Sequence, residues 1–149
     1  MTELVTFTVA GARCALDVTR VREVVRATRR TPVPLAPPDV DGLMNLRGQV
    51  LMCLDPRSRL GLDARFVEGD RMAIVVDARG ETLGLLVDDV GEVVDLDPGE
   101  LRPAPTTLDP TLRANIVGAH PLPDGLLLVL DLDAVTAPCP TAPEKEHLS

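Results

Sequence analysis

The amino-acid sequence predicts an all-β protein built from two small five-stranded barrels, and three observations carry that reading. Short apolar or alternating segments are punctuated by Gly and Pro, which is the pattern of strands joined by tight turns. The chain also matches itself at two fixed offsets, which is the signature of a duplicated unit. Finally, aromatic residues make up 1% of the 149 residues, with two Phe and no Trp or Tyr, so the core has to be built from Val, Leu, Ile, Ala and Met.

In chain order, Thr6 to Ala10 and Cys14 to Val18 read as strands turning at Gly11. A turn is expected at Thr19 and Arg20. After it, Val21-Arg22-Glu23-Val24-Val25 favours a strand by its β-branched content, although its valines also fit helical spacing. Thr31-Pro32-Val33-Pro34-Leu35-Ala36-Pro37-Pro38 lacks half of its backbone donors and is an extended connector. The stretch from Val40 to Asp55 reads as a hairpin bending near Arg47-Gly48, because Gly accepts positive φ and polar Asn45 and Gln49 flank the bend. Pro56 to Leu60 suits one or two helical turns closed by Gly61.

The duplication accounts for the rest. Gly11, Leu16, Val18, Val21, Glu23, Val24 and Val25 recur 69 positions later as Gly80, Leu85, Val87, Val90, Glu92, Val93 and Val94. Gly42, Leu46, Leu54 and Asp55 recur 76 positions later as Gly118, Leu122, Leu130 and Asp131, the difference being the Pro-rich piece from Pro98 to Pro110. Each copy then reads as three strands, a connector, two strands and a helical turn. The expected division is a domain over residues 1–137, with subdomains of about 1–67 and 68–137 each closing its own sheet, and a disordered Pro-rich tail over 138–149.

Charge narrows the function classes. A net charge of −8 and an isoelectric point near 4.7 disfavour nucleic acid and anionic lipid. The charge is uneven: residues 1–67 hold ten Arg against seven acids, and residues 68–149 hold five Lys and Arg against sixteen acids. No secretory signal or membrane span is read, so a cytoplasmic protein without membrane insertion is expected. Cys14, Cys53 and Cys139 have no metal-ligand spacing, and His120 and His147 offer little from which to build a catalytic couple. The run Asp95 to Glu100 fails calcium-loop spacing and is broken by Pro98. What remains is a binding module in which Glu23 and Arg47 form a polar pair in apolar surroundings. On turn chemistry alone, Arg47 reads equally as a solvated turn charge.

Asn45-Leu46-Arg47-Gly48 preceded by Gly42, Val21 to Val25, Pro34 to Pro37, Gly84 to Val94, and Gly118 followed by Leu126 to Asp133 together resemble the CheW family of bacterial chemotaxis coupling proteins. The resemblance spans about residues 3–137. It implies SH3-like barrels and a non-enzymatic adaptor, without metal or cofactor, docking on the cytoplasmic tip of chemoreceptors and on the regulatory domain of a CheA-type histidine kinase. It assigns Glu23 and Arg47, with Asn45, Leu46 and Gly48, to the receptor-contacting surface, and Val24, Val25, Leu43, Val90 and Val93 to an apolar groove between the barrels. The chain departs from the family pattern at Pro56, at Met52-Cys53 and in the missing aromatics of its first strands. Two alternatives stand beside this reading. One is a coupling protein of a chemotaxis-like pathway for type IV pili or development; the other is a small acidic enzyme using Cys53 and the Asp clusters.

Overall fold

Alternating apolar residues build the first hairpin of the computed structural model, which describes residues 2–27, 29–62 and 71–137. Strand β1 (Thr2–Val9) turns into β2 (Ala12–Asp17) through Ala10 and Gly11, both at positive φ (50° and 84°), as a tight hairpin requires. Asp17 then caps one 3-10 turn over Val18–Arg20, its carboxylate accepting from the Thr19 N–H, and β3 (Val21–Ala27) follows. The Pro-rich connector, expected to be extended, opens with β4 (Arg30–Thr31) and then turns twice, the Ala36 N–H donating to the Val33 carbonyl and the Val40 N–H to that of Pro37, with Leu35 at a positive φ of 61°. Strands β5 (Val40–Leu46) and β6 (Gln49–Leu54) form the hairpin over Arg47-Gly48, and Asp55 caps helix α1 (Pro56–Arg59). The second copy repeats the scheme with β7 (Arg71–Ala78), β8 (Glu81–Val87), β9 (Asp89–Leu96), α2 (Pro110–Arg113), β10 (Ile116–Leu122), β11 (Gly125–Leu130) and α3 (Leu132–Val135).

The protein is all-β, as expected, but its sheets do not divide at residue 67. One sheet has the order β10-β11-β2-β1-β9, and the other β3-β7-β8-β6-β5-β4. Strands β3 to β8 are contiguous in the chain, so the second sheet is inserted between β2 and β9 of the first. The repeat boundary and the sheet boundary therefore differ. The reason is that the β1-β2 and β7-β8 hairpins each pair with the strands of the other half, through short parallel ladders of β2 with β11 and of β8 with β6. The expectation that 1–67 and 68–137 would each close a sheet is corrected accordingly. The tail over 138–149 lies outside the described residues.

Duplication extends to single pairings. Met52 opposes Leu83 and Cys53 opposes Gly84, and at the offsets of the repeat Leu128 opposes Cys14 and Val129 opposes Ala15. Register shifts fall at Val40/Gly42 and at Ile116/Gly118. A Cβ on Gly42 would lie 2.6 Å from the Thr31 carbonyl oxygen, and one on Gly118 would lie 2.6 Å from that of Arg102. Both glycines let a connector cross directly over the strand. The Asp55 N–H donates to the Asp39 carbonyl at 2.7 Å, and the Asp131 N–H to the Asn115 carbonyl at 2.9 Å.

The core lies between the sheets. Phe7, Val9 and Leu16 from one meet Ile74, Val76 and Leu85 from the other, all at most 2% exposed. Two smaller clusters fill the individual barrels, around Met44, Leu51 and Leu86 in one and around Leu4, Leu127 and Val129 in the other.

Candidate functional site

Three features aim Arg47. It holds a left-handed φ of 51° beside Gly48 at 88°, and the Asn45 side-chain oxygen accepts from the Gly48 N–H at 2.9 Å, fixing the bend. Its guanidinium Nη2 donates to the Glu23 carboxylate, joining the tip of the β5-β6 hairpin to the edge strand β3. Glu23 follows a register shift between Val21 and Glu23 in the pairing with β7, and a bulge of this kind re-aims a side chain. The two strands are not neighbours in the sheet, so the ion pair spans one end of the barrel. The Glu23 side chain is 37% exposed and that of Arg47 66% exposed. At that exposure the pair contributes at most about 1 kcal/mol to stability, and its use is to hold the guanidinium at a fixed angle.

A recess of about 240 Å³ opens beside the pair, lined by Arg22, Leu46, Gln49, Val75 and Thr82 as well as by the pair itself. Arg22 is tied to the Thr82 hydroxyl at 3.2 Å and to Asp77 at 3.4 Å. Sequence reasoning missed Arg22, Asp77 and Thr82, because only the β3-β7-β8 order brings them together.

The five residues expected to line a groove are divided by the structure. Val25 packs against the cluster inside the first barrel and Val90 against the core between the sheets. Val24 and Val93 keep 36% and 53% exposure, on the edge strands β3 and β9 of different sheets, and Leu43 is half-buried on β5.

A second polar group was also invisible in the sequence. The Asp55 carboxylate accepts from Arg57 (2.6 Å) and Arg71 (3.1 Å), and Arg71 lies 3.7 Å from Asp88. Asp88 in turn accepts from the Ala10 N–H at 2.7 Å, so the chain of charges runs from the second sheet to the first hairpin of the other. Burial acts to raise the Asp55 pKa, but the hydrogen bonds from Arg57 and Arg71 outweigh it and hold the carboxyl below its ordinary range. Nearby, Asp39 pairs with Arg59 at 2.9 Å.

Burial and local capping account for the remaining reactive groups. Burial pushes the Cys14 thiol up to about 12 and the Cys53 thiol up to about 11, so both keep their protons at neutral pH. Asp97 and Glu100 form a capping box on the 3-10 turn Pro98–Glu100, which accounts for that acidic run. Among the described residues no group of three His, Cys, Asp or Glu is placed to hold a metal ion.

A family model described as the CheW-like domain matches residues 3–137. The chemotaxis protein CheW of Rhizobium meliloti (strain 1021) is 31% identical over 133 residues, covering 89% of this chain and 86% of its own. That of Bacillus subtilis (strain 168) is 28% identical, covering 89% and 85%. The crystal structure of scaffolding protein TtCheW from Thermoanaerobacter tengcongensis superposes with a TM-score of 0.79 at 31% identity, covering 90% of this chain and 86% of that one.

Proposed function

The chain belongs to the CheW-like family, and from that premise we propose that it is a non-enzymatic adaptor coupling chemoreceptors to a CheA-type histidine kinase. The observation that carries the site is the Glu23–Arg47 pair, which presents an exposed guanidinium at the end of a rigid hairpin. A charge held by two strands costs little entropy to engage, so a partner acceptor finds it already oriented. The receptor tip takes this end of the barrel, with Asn45 and Gly48 fixing the turn and Leu46 lining the recess beside it. The relatives that match over most of the chain bear chemotaxis names, which supports chemotaxis over pili or development as the output. No helix among the described residues is long and apolar enough to cross a membrane, and the adaptor works in the cytoplasm on the receptors' cytoplasmic ends.

The mechanism is linkage. An adaptor alters a kinase only by binding its active and inactive arrangements with different free energy, and a difference of about 1–3 kcal/mol gives a 5–150-fold effect. Such coupling needs two interfaces on one rigid body. The buried core shared by the sheets and the Asp55–Arg71–Asp88 charges supply that rigidity. The test is co-purification of the full chain with a chemoreceptor cytoplasmic fragment and a CheA-type kinase, followed by kinase autophosphorylation with and without the chain. Receptor control of the kinase that appears only with the chain supports the reading; absence of any complex overturns it.

A further inference from the structure

The duplication that gives the Glu23–Arg47 recess also gives its counterpart on the other barrel. At the offsets of the repeat, Val75 corresponds to Thr6, Thr82 to Arg13, Leu46 to Leu122, Arg22 to Gly91 and Arg47 to Pro123. Thr6, Arg13, Gly91 and Leu122 do line one recess, of about 360 Å³. It is wider than its mate because glycine stands where Arg22 stands and proline where Arg47 stands, so neither guanidinium covers it. A Cβ at Gly91 would lie 2.7 Å from the Thr6 hydroxyl oxygen, so a side chain there would have to displace that hydroxyl.

We infer that this recess, with the free edge of β9, is a docking site for an extended partner segment in which lysine or arginine alternates with aliphatic residues. Three observations fix that chemistry. First, among the described residues β9 pairs with β1 on one side and with no strand on the other, and β10, across the recess, is the opposite edge of the same sheet. An edge of this kind offers unpaired backbone groups in strand spacing, which an added strand satisfies. Second, Leu122 and Leu127 give the recess an aliphatic lining, while Val93 on the same strand edge is 53% exposed. Third, the charge at the rim is negative. Asp89 and Asp95 line the recess with no ion pair among the described residues, whereas Arg13 is neutralised by a two-pronged pair with Asp124 at 2.8 and 2.9 Å. Alternation suits a strand, since successive side chains point to opposite faces and the basic ones meet the acidic rim. This site is independent of the receptor assignment at Arg47.

The test is a titration of the isotope-labelled full chain with a peptide of about ten residues alternating Lys and Val, read by amide shifts and amide exchange. Perturbation centred on Val93 to Leu96 and His120 to Leu122, with slowed exchange along β9, is expected. The double variant Asp89→Lys/Asp95→Lys and the single variant Leu122→Asp should each weaken the peptide by about tenfold or more. Every residue lining the Glu23–Arg47 recess stays native in these variants, so unchanged amide shifts there show that the fold is intact. A peptide alternating Glu and Val should not bind. Equal binding of an all-Lys peptide, perturbation centred elsewhere, or occupation of β9 by a second copy of the chain in the absence of peptide would each overturn the inference.

Discussion

The two barrels share a backbone and differ at their ends. What they share is set by conformation: a glycine where a connector crosses the strand (Gly42, Gly118), an aspartate that caps a short helix (Asp55, Asp131) and the same parallel register. What separates them is side-chain charge at equivalent positions. Asp41 is paired with Arg30, and its counterpart Val117 is 60% exposed; Arg47 is paired with Glu23, and its counterpart is Pro123. Duplication thus fixes the scaffold twice, while the barrel ends are free to diverge into surfaces for different partners. A single rigid body with unlike ends is what an adaptor requires.

The comparison breaks most completely if the barrels are separable at the repeat boundary. Because β1-β2 and β7-β8 complete sheets with strands from the other half, the fragment 1–67 lacks β9, β10 and β11 of one sheet and β7 and β8 of the other, and the fragment 68–137 lacks β1 and β2 of the first and β3 to β6 of the second. Neither should unfold cooperatively alone, and mixing them should restore a cooperative transition. A cooperative melt of either fragment at the temperature of the intact chain would show that the repeats, not the sheets, are the folding units.

The next effect separates two aspartates with one shared role. Asn caps helices about as well as Asp, so Asp131→Asn should change stability by no more than about 0.5 kcal/mol. Asp55→Asn should cost on the order of 3 kcal/mol, because it also removes the carboxylate that Arg57 and Arg71 share in a buried setting. The pH dependence has a definite sign. With its folded pKa below the unfolded value of 3.8, Asp55 contributes stability that is present above that value and lost as pH falls through the lower one. Denaturant midpoints between about pH 6 and 2 should therefore lose part of their acid limb in Asp55→Asn and keep it in Asp131→Asn.

Much of this scaffold was legible. Gly11 and Gly48 marked hairpins because positive φ is a local demand, and the seven matched positions in each copy exposed the duplication. The helical turn over Pro56 to Leu60 followed from the proline that opens it and the glycine, Gly61, that closes it. Sheet partnership was not legible, since repeat order in the chain says nothing about which half a hairpin pairs with. The division at residue 67 failed for that reason. Glu23 and Arg47 stood out as a polar pair in apolar surroundings and took their role from the family resemblance, while their direct contact is a product of the bulge at Val21/Glu23 and of the hairpin reaching across the barrel. Arg22, Thr82 and the Asp55–Arg71–Asp88 charges left no periodic signal, because their contacts join residues distant in the chain.

The smallest effect on stability tests the functional difference most directly. Two exposed arginine–carboxylate pairs at hairpin turns can be set side by side: Glu23–Arg47 on the first barrel and Arg13–Asp124 on the second. Arg13 and Asp124 are 52% and 65% exposed, so both pairs lie in the range where ion pairs contribute little to folding. If exposure alone governed them, reversing either pair would be silent. The proposed receptor contact makes them unequal. Glu23→Arg and Arg47→Glu should each leave the melting transition in place yet weaken a chemoreceptor cytoplasmic fragment by about tenfold or more, since each removes or misdirects the guanidinium the partner meets. The double reversal should recover part of that loss, because the pair re-forms with opposite polarity while the partner's acceptor still faces the wrong charge. Reversal of Arg13 and Asp124 should leave receptor binding unchanged. Equal losses from the two reversals would show that bulk charge, not the aimed Arg47, is what the receptor reads.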